Sequence, residues 1–280
     1  MSAPSRPVTK LDKSDLLSGL FGTWDSLIEL LTGLSEDEWR TQTPLPGWSV
    51  HDVVAHIVGT ESMLHGLSTP DADIDVSTLD HVRNGVGVAN ECWVRHLGEL
   101  SGAELLDRFR AITADRRERL AEMSVDDWNA PTATPVGPES FGRFMRVRLF
   151  DCWMHEQDIR DGLGRPSSDA ALGEPQGRLA VDEIAATMGF VVGKLGKAPE
   201  GSRVAVELTG PLARTIRVAV DGRAQVVGDF GGSGPTSTIR IDGLLFTRLA
   251  GGRTDNAAGV ELVGDTEVGS RIVEHLNFVI

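Results

Sequence analysis

The sequence predicts two domains: an all-α up-down four-helix bundle over residues 10–165, then a smaller α+β domain over 170–280. Three observations carry this reading. Before residue 165, apolar residues recur at helical spacing between capping signals. After Pro166, short β-branched runs alternate with turn signals. Composition breaks at the same place: all six tryptophans lie within the first 153 residues, and net charge is −11 over residues 1–165 against −3 over 166–280. A chain of 280 residues is long enough for two ordinary domains, each with its own core.

The first helix covers residues 11–34, where Leu16, Leu17, Leu20, Phe21, Trp24, Leu27, Ile28 and Leu31 follow one another at steps that keep one apolar face. Residues 35–48 carry two prolines and a glycine and read as loop. Ser49, three residues before Asp52, caps a second helix running to about residue 67. Residues 68–77 are loop, and a third helix spans about 79–98. Ser101 with Glu104 caps a fourth, which runs to about residue 123. Residues 129–138 read as loop before a last bundle helix over 139–161, ended by Gly162, Gly164 and Pro166. The run from Leu34 to Trp39 resembles the run from Met123 to Trp128, which fits two related helical hairpins or a chance likeness of acidic helix ends. In the second domain a helix over 174–194 precedes strands at 203–208, 215–220, 223–227, 236–241 and 260–263. Asp221-Gly222 marks a hairpin, and helices are expected over 242–250 and 265–279. Gly231-Gly232-Ser233-Gly234-Pro235 lacks the Lys-Ser/Thr ending of a phosphate loop and reads as a turn.

Composition excludes several functions. A pI near 4.9 without a basic cluster argues against nucleic acid, since neutralising phosphates needs grouped Lys and Arg. No apolar run is long enough to cross a membrane, and the polar start of the chain has no apolar core of a secretion signal. Two cysteines, Cys92 and Cys152, allow at most one disulfide, so a reduced, cytoplasmic setting is expected.

The stretch Asp151-Cys152-Trp153-Met154-His155-Glu156-Gln157-Asp158 is the most informative chemically. Positions i and i+4 of a helix share a face, so Asp151 and His155 can point at one ion. On the second helix, His56 lies within an apolar stripe of Val53, Val54, Ile57 and Val58 that should face the bundle interior. His51 is turned about 140° away and cannot face inward with it. One His and an Asp/His pair make three ligands, the number a catalytic zinc site uses when it keeps a position open. Read singly, a helical Asp/His pair is first a helix-stabilising or solvated pair, and His56 first a satisfied core histidine; it is their co-occurrence on two helices the bundle brings together that raises the metal reading. Asp158 can orient a ligand histidine or pair with Arg160 or Arg165. Cys152 is turned away from the pair and reads as a small buried residue.

Two segments carry a family resemblance. Leu45-Pro46-Gly47-Trp48-Ser49-Val50-His51-Asp52-Val53-Val54-Ala55-His56 resembles the start of the second helix in the mycothiol-dependent maleylpyruvate isomerase family, a branch of the DinB-like four-helix bundles. Arg148-Leu149-Phe150-Asp151-Cys152-Trp153-Met154-His155-Glu156-Gln157-Asp158-Ile159-Arg160, followed by Leu163-Gly164-Arg165-Pro166, resembles its last bundle helix. Val191-Val192-Gly193-Lys194, Thr209-Gly210-Pro211, the run from Phe246 to Arg253, Gly264-Asp265 and Leu276-Asn277-Phe278 are similar to the family's sterol-carrier-like α+β domain. The resemblance implies a divalent metal, typically zinc, held by His56, Asp151 and His155, and mycothiol as the thiol cofactor or cosubstrate. Asp151 departs from the family's glutamate by one methylene, which bears on isomerase activity more than on metal binding. The resemblance also suggests a thiol-binding role for Arg248 or Arg253; as residues alone, both read first as solvated arginines.

The implied function is attack of a metal-activated thiolate on a small electrophile, as a thiol S-transferase or a cis–trans isomerase, in a monomer or homodimer without nucleic-acid or membrane partners. The competing readings are a non-enzymatic carrier of an apolar ligand and a metal-dependent hydrolase using metal-bound water.

Overall fold

The computed structural model describes residues 8–134 and 137–277. Residues 135–136 of the expected loop, Phe278 of the C-terminal match, residues 278–279 of the expected last helix and the first seven residues lie outside that range; within it, the helix expected over 265–279 stops at Glu274, where His275 caps it. The chain divides into two compact units, the first ending at Ser167 and the second beginning at Ser168.

In the first unit, α1 (Lys13–Leu31), the one-turn α2 (Glu36–Trp39), α3 (Val50–His65), α4 (Gly85–Leu97), α5 (Gly102–Glu122) and the one-turn α6 (Val125–Trp128) are followed by the long α7 (Phe141–Leu163). Helices α1, α3, α5 and α7 form the bundle: α1 packs on α7 and α5, α3 packs on α5 and α7, and α4 lies along α3. Leu16, Leu20, Trp24 and Leu27 of α1 are at most 1% exposed, each contributing about 1.5–3 kcal/mol through burial. Ser49 and Ser101 accept from the backbone N–H groups of Asp52 and Glu104, and those side chains accept in return from the two capping residues.

Three segments depart from expectation. Residues 129–138 are not simply loop: β1 (Pro131–Thr134) and β2 (Gly137–Ser140) pair antiparallel, with Pro131 opposite Ser140. Proline in a two-stranded ribbon has an open edge to face, so the prolines that suggested loop do not forbid it. The third helix begins at Gly85 rather than near residue 79, with Asn84 as its cap. Within 35–48, the chain forms α2 before looping.

The two similar Ser/Trp segments become α2 and α6, each a single turn capped by a serine and ending in a buried tryptophan. Trp39 lies against Gly102 at the start of α5, and Trp128 against Gly142 at the start of α7. A Cβ on Gly142 would stand 2.3 Å from Trp128 Nε1, which donates to the Leu11 carbonyl. Gly142→Ala should therefore overpack the end of the bundle and lower stability by about 1–3 kcal/mol in urea unfolding. An unchanged midpoint would show that the indole moves aside at no cost.

The second unit begins with α8 (Asp169–Leu172) and α9 (Pro175–Phe190), which runs on into a wider π-type turn over Val191–Leu195. Its strands are β3 (Arg203–Thr209), β4 (Arg214–Asp221), β5 (Arg223–Val227), β6 (Ser237–Asp242) and β7 (Glu261–Gly264). They form one mixed sheet in the order β5-β4-β3-β6-β7; β3 and β6 run parallel, with Val206 beside Ile239, and the other pairs are antiparallel. Helix α9 covers β4 and β5, while α10 (Gly243–Ala250) and α11 (Thr266–Glu274) pack against β6. The expected α+β composition is therefore found, with strand limits within a residue or two of those read from the turn signals.

Candidate metal centre

Helices α3 and α7 bring His56, Asp151 and His155 together. Each offers one ligand atom, and these atoms lie within 4.8 Å of one another. His56 Nε2 is 3.3 Å from Asp151 Oδ2, and His155 Nε2 is 3.5 Å from Asp151 Oδ1. Both rings are buried, whereas the Asp151 side chain is 29% exposed, so the cluster is open at the carboxylate.

Further side chains hold the three in place. Asp158, 1% exposed, sits 3.0 Å from His155 Nδ1. A carboxylate accepts, so the ring donates from Nδ1 and turns Nε2 toward Asp151. Arg160 pairs with Glu156 and Arg165 with Glu38, so Asp158 takes the histidine rather than either arginine. Arg148 Nη1 donates to Asp151 Oδ2 at 2.5 Å, and its Nε donates to Glu61 Oε1 at 3.1 Å. Glu61, fully buried on α3, accepts from Arg116 Nε through its other oxygen at 2.9 Å. The indole of Trp48 lies with its ring centre 5.3 Å from that of His56 and 6.3 Å from that of His155.

The electrostatics follow from this packing. Burial lowers the pKa of His56 and outweighs the opposing pull of Asp151, which favours the neutral ring a metal needs. Burial works against the charge on His155 too, but Asp151 and Asp158 outweigh it and raise that ring's pKa. Burial would raise Asp151; Arg148, His155 and His56 overcome it and hold the carboxyl well below its ordinary range. Cys152 is pushed by burial up to about 12, against the pull of Arg148, so it remains a thiol at neutral pH and no nucleophile.

Two imidazoles and a carboxylate, already converged and with one ring oriented by a buried acid, fit a divalent ion of the zinc type. Of the other sequence candidates, Arg248 lies on α10 and Arg253 in the turn after it, where it donates to the Gly251 carbonyl. His51 contacts the Leu100 carbonyl, away from the cluster. Sequence reasoning missed the roles of Arg148, Glu61 and Trp48. Arg148 carried a usable signal, since i and i+3 share a helix face with Asp151. Glu61, between Thr60 and Ser62 late in its helix, reads as solvated and gave none.

The fold and the cluster define a class: a helical bundle with a His/Asp/His candidate metal centre, joined to a mixed-sheet domain. Residues 20–160 match the family described as mycothiol maleylpyruvate isomerase N-terminal domain, and residues 178–271 match the corresponding C-terminal domain. The chain belongs to the mycothiol maleylpyruvate isomerase family. Among solved structures it is similar to the mycothiol-dependent maleylpyruvate isomerase, with TM-score 0.58 and 17% identity over 91% of this chain and 95% of the other. A histidine-to-alanine mutant of that enzyme superposes with TM-score 0.57 at the same identity and coverage. An uncharacterised protein of Mycobacterium tuberculosis, known from two strains, is 26% identical over 211 residues, 73% of this chain and 76% of its own length. Among the described residues, no helix is long and apolar enough to cross a membrane.

Proposed function

We propose that the protein is a mycothiol-dependent enzyme that joins the sulfur of the thiol to a small electrophile, using a divalent ion, zinc by donor set, held by His56, Asp151 and His155. The observation carrying this reading is the convergence of those three side chains within 4.8 Å; membership of the family supports the thiol. The bound ion would supply one thing, stabilisation of a thiolate near neutral pH.

The chain's own residues do the rest. Asp158 keeps His155 in one tautomer. Arg148 holds one oxygen of Asp151, leaving the other directed at His155. The buried rings keep water from two sides, and the exposed edge of Asp151 is where reactants enter. Arg248 and Arg253 are proposed as thiol-binding side chains. The sulfur forms a bond to the electrophilic carbon. In a transferase the bond to a leaving group breaks and that group departs with the electron pair, or a proton adds to the carbanion formed by addition, and the thioether is released. In an isomerase, addition to a cis alkene allows rotation about the new single bond, and elimination returns the thiol with the trans product. The shorter Asp151 bears on the isomerase outcome more than on metal binding, and the assay below separates the two outcomes. We place the enzyme in the cytoplasm, as a monomer or homodimer.

The test is thiol consumption by zinc-loaded and chelator-stripped protein with mycothiol and a panel of electrophiles, maleylpyruvate included. Loaded protein should exceed the stripped form by about 100-fold or more if the thiolate is the reacting species. Equal rates, both at the level of buffer, would sink the proposal. Turnover of an ester or amide without thiol would instead favour a hydrolase, which the solvent-exposed edge of Asp151 admits.

A further inference from the structure

Trp48 is built into the wall of the candidate centre more firmly than a loop residue needs to be. Its carbonyl accepts from the Thr43 backbone N–H at 3.1 Å and from the Thr43 hydroxyl at 2.7 Å, and its own N–H donates to the Leu45 carbonyl at 3.1 Å. The backbone that carries the indole is thus tied on both sides. The ring is tied as well: Nε1 donates to Glu91 Oε2 on α4 at 3.4 Å. Glu91 is only 7% exposed, and the same oxygen meets His81 Nε2 at 3.1 Å. Burying a carboxylate is costly unless it is paired and hydrogen-bonded, and Glu91 has Trp48 and His81 as partners. Those contacts fix the rotation of one indole and tie the segment before α4 to it.

The held indole has a clear position. With the two imidazoles it makes a triangle of ring centres at 5.3, 6.3 and 4.9 Å, so a molecule placed at the ligand atoms would lie beside its face or edge. The residue is half-buried, so part of the ring remains available to a bound molecule. A flat, rigid, uncharged surface recognises flat, polarisable molecules, and its position is set by groups outside the proposed ligand set.

We propose that Trp48 is a specificity-determining residue, and that its indole, locked by Glu91, selects electrophiles whose reactive carbon belongs to an aromatic or conjugated planar system. This rests on the thiol-transfer reading above. For an aromatic halide the step balances simply: the thiolate sulfur forms a C–S bond, the C–Cl bond breaks, and chloride leaves with the electron pair.

The experiment compares wild type with Trp48→Phe, Trp48→Ala and Glu91→Gln, each first assayed for bound zinc, which none should reduce because neither residue supplies a proposed ligand or hydrogen-bonds to one. With mycothiol, kcat/KM is measured for 1-chloro-2,4-dinitrobenzene and for iodoacetamide. The aromatic-to-aliphatic ratio should fall about tenfold in Trp48→Ala, mainly through KM, and about two- to threefold in Glu91→Gln; Trp48→Phe should keep most of it. A second arm needs no turnover: equilibrium dialysis of 1,3-dinitrobenzene, which has no leaving group, against zinc-loaded protein without thiol. Binding should weaken about tenfold in Trp48→Ala and little in Trp48→Phe. Parallel loss on both electrophiles, or unchanged dialysis in Trp48→Ala, overturns the assignment and leaves Trp48 a packing residue. Zinc-loaded wild type that binds the arene through Trp48 but consumes no thiol would retain the planar-ligand site while defeating the thiol-transfer reading.

Discussion

His155→Ala should abolish stoichiometric metal binding. Wild type reconstituted with zinc and freed of excess should carry about one equivalent per chain, the count for a three-ligand site, and the variant about a tenth of that or less. The structure supplies an internal scale for this result. Asp158→Asn leaves all three proposed donors in place and removes the charged acceptor on His155 Nδ1, so its affinity should drop about 10–100-fold. His155→Ala should exceed that, because one donor of three is gone. His56→Ala should match it, although the two rings differ: among the described residues His56 Nδ1 is buried without a hydrogen-bond partner. Atomic absorption on dialysed protein and competition with a chelator give stoichiometry and affinity, and circular dichroism checks that the bundle persists. Equal metal content in wild type and both histidine variants would show that the cluster is only a buried polar network.

Glu61→Ala should be among the most damaging single changes in the first unit. Glu61 stands between two buried arginines, Arg116 and Arg148, with one carboxylate oxygen to each. Removing it leaves two guanidinium charges close together without their shared counter-charge. Breaking a buried pair from one side costs about 3–5 kcal/mol, much of it from the charge left behind; here Arg116 loses the carboxylate it pairs with, while Arg148 keeps Asp151. Urea unfolding should show that loss in the first-unit transition. Replacing Glu61, Arg116 and Arg148 together by Met should recover much of it, since well-packed apolar groups often match a buried ionic triad in stability. The triple variant would still lose the Arg148 contact to Asp151 and should bind zinc more weakly than wild type. A single variant as stable as wild type would mean that water reaches the arginines.

How far the sequence could be read depends on the range of the interactions involved. Periodicity and serine caps are local, which is why α1, α3, α5 and α7 fall where the apolar stripes and capping boxes put them. The strands β3 to β7 follow from β-branched runs between turn residues, and the turn at Asp221-Gly222 joins β4 to β5 as a tight hairpin. The one-turn helices were hidden because a single turn has no periodicity to read, and the β1–β2 ribbon because its prolines look like loop. Pairing of β3 with β6 in parallel, across a gap of 27 residues, has no local signature.

The sequence by itself determined the candidate ligands: an i, i+4 Asp/His pair on one helix and an inward-facing histidine on another, each legible because helix geometry is periodic. Only the tertiary structure decided what surrounds them. Arg148 lies on the same helix as Asp151, but Glu61, which fixes it, comes from α3 and Arg116 from α5. Trp48 meets Glu91 across 43 residues. Such contacts depend on which helices pack together and at what depth, and a buried acid and a solvated acid are the same letter in a sequence. Burial, which turns that letter into an orienting group, exists only once the bundle has closed.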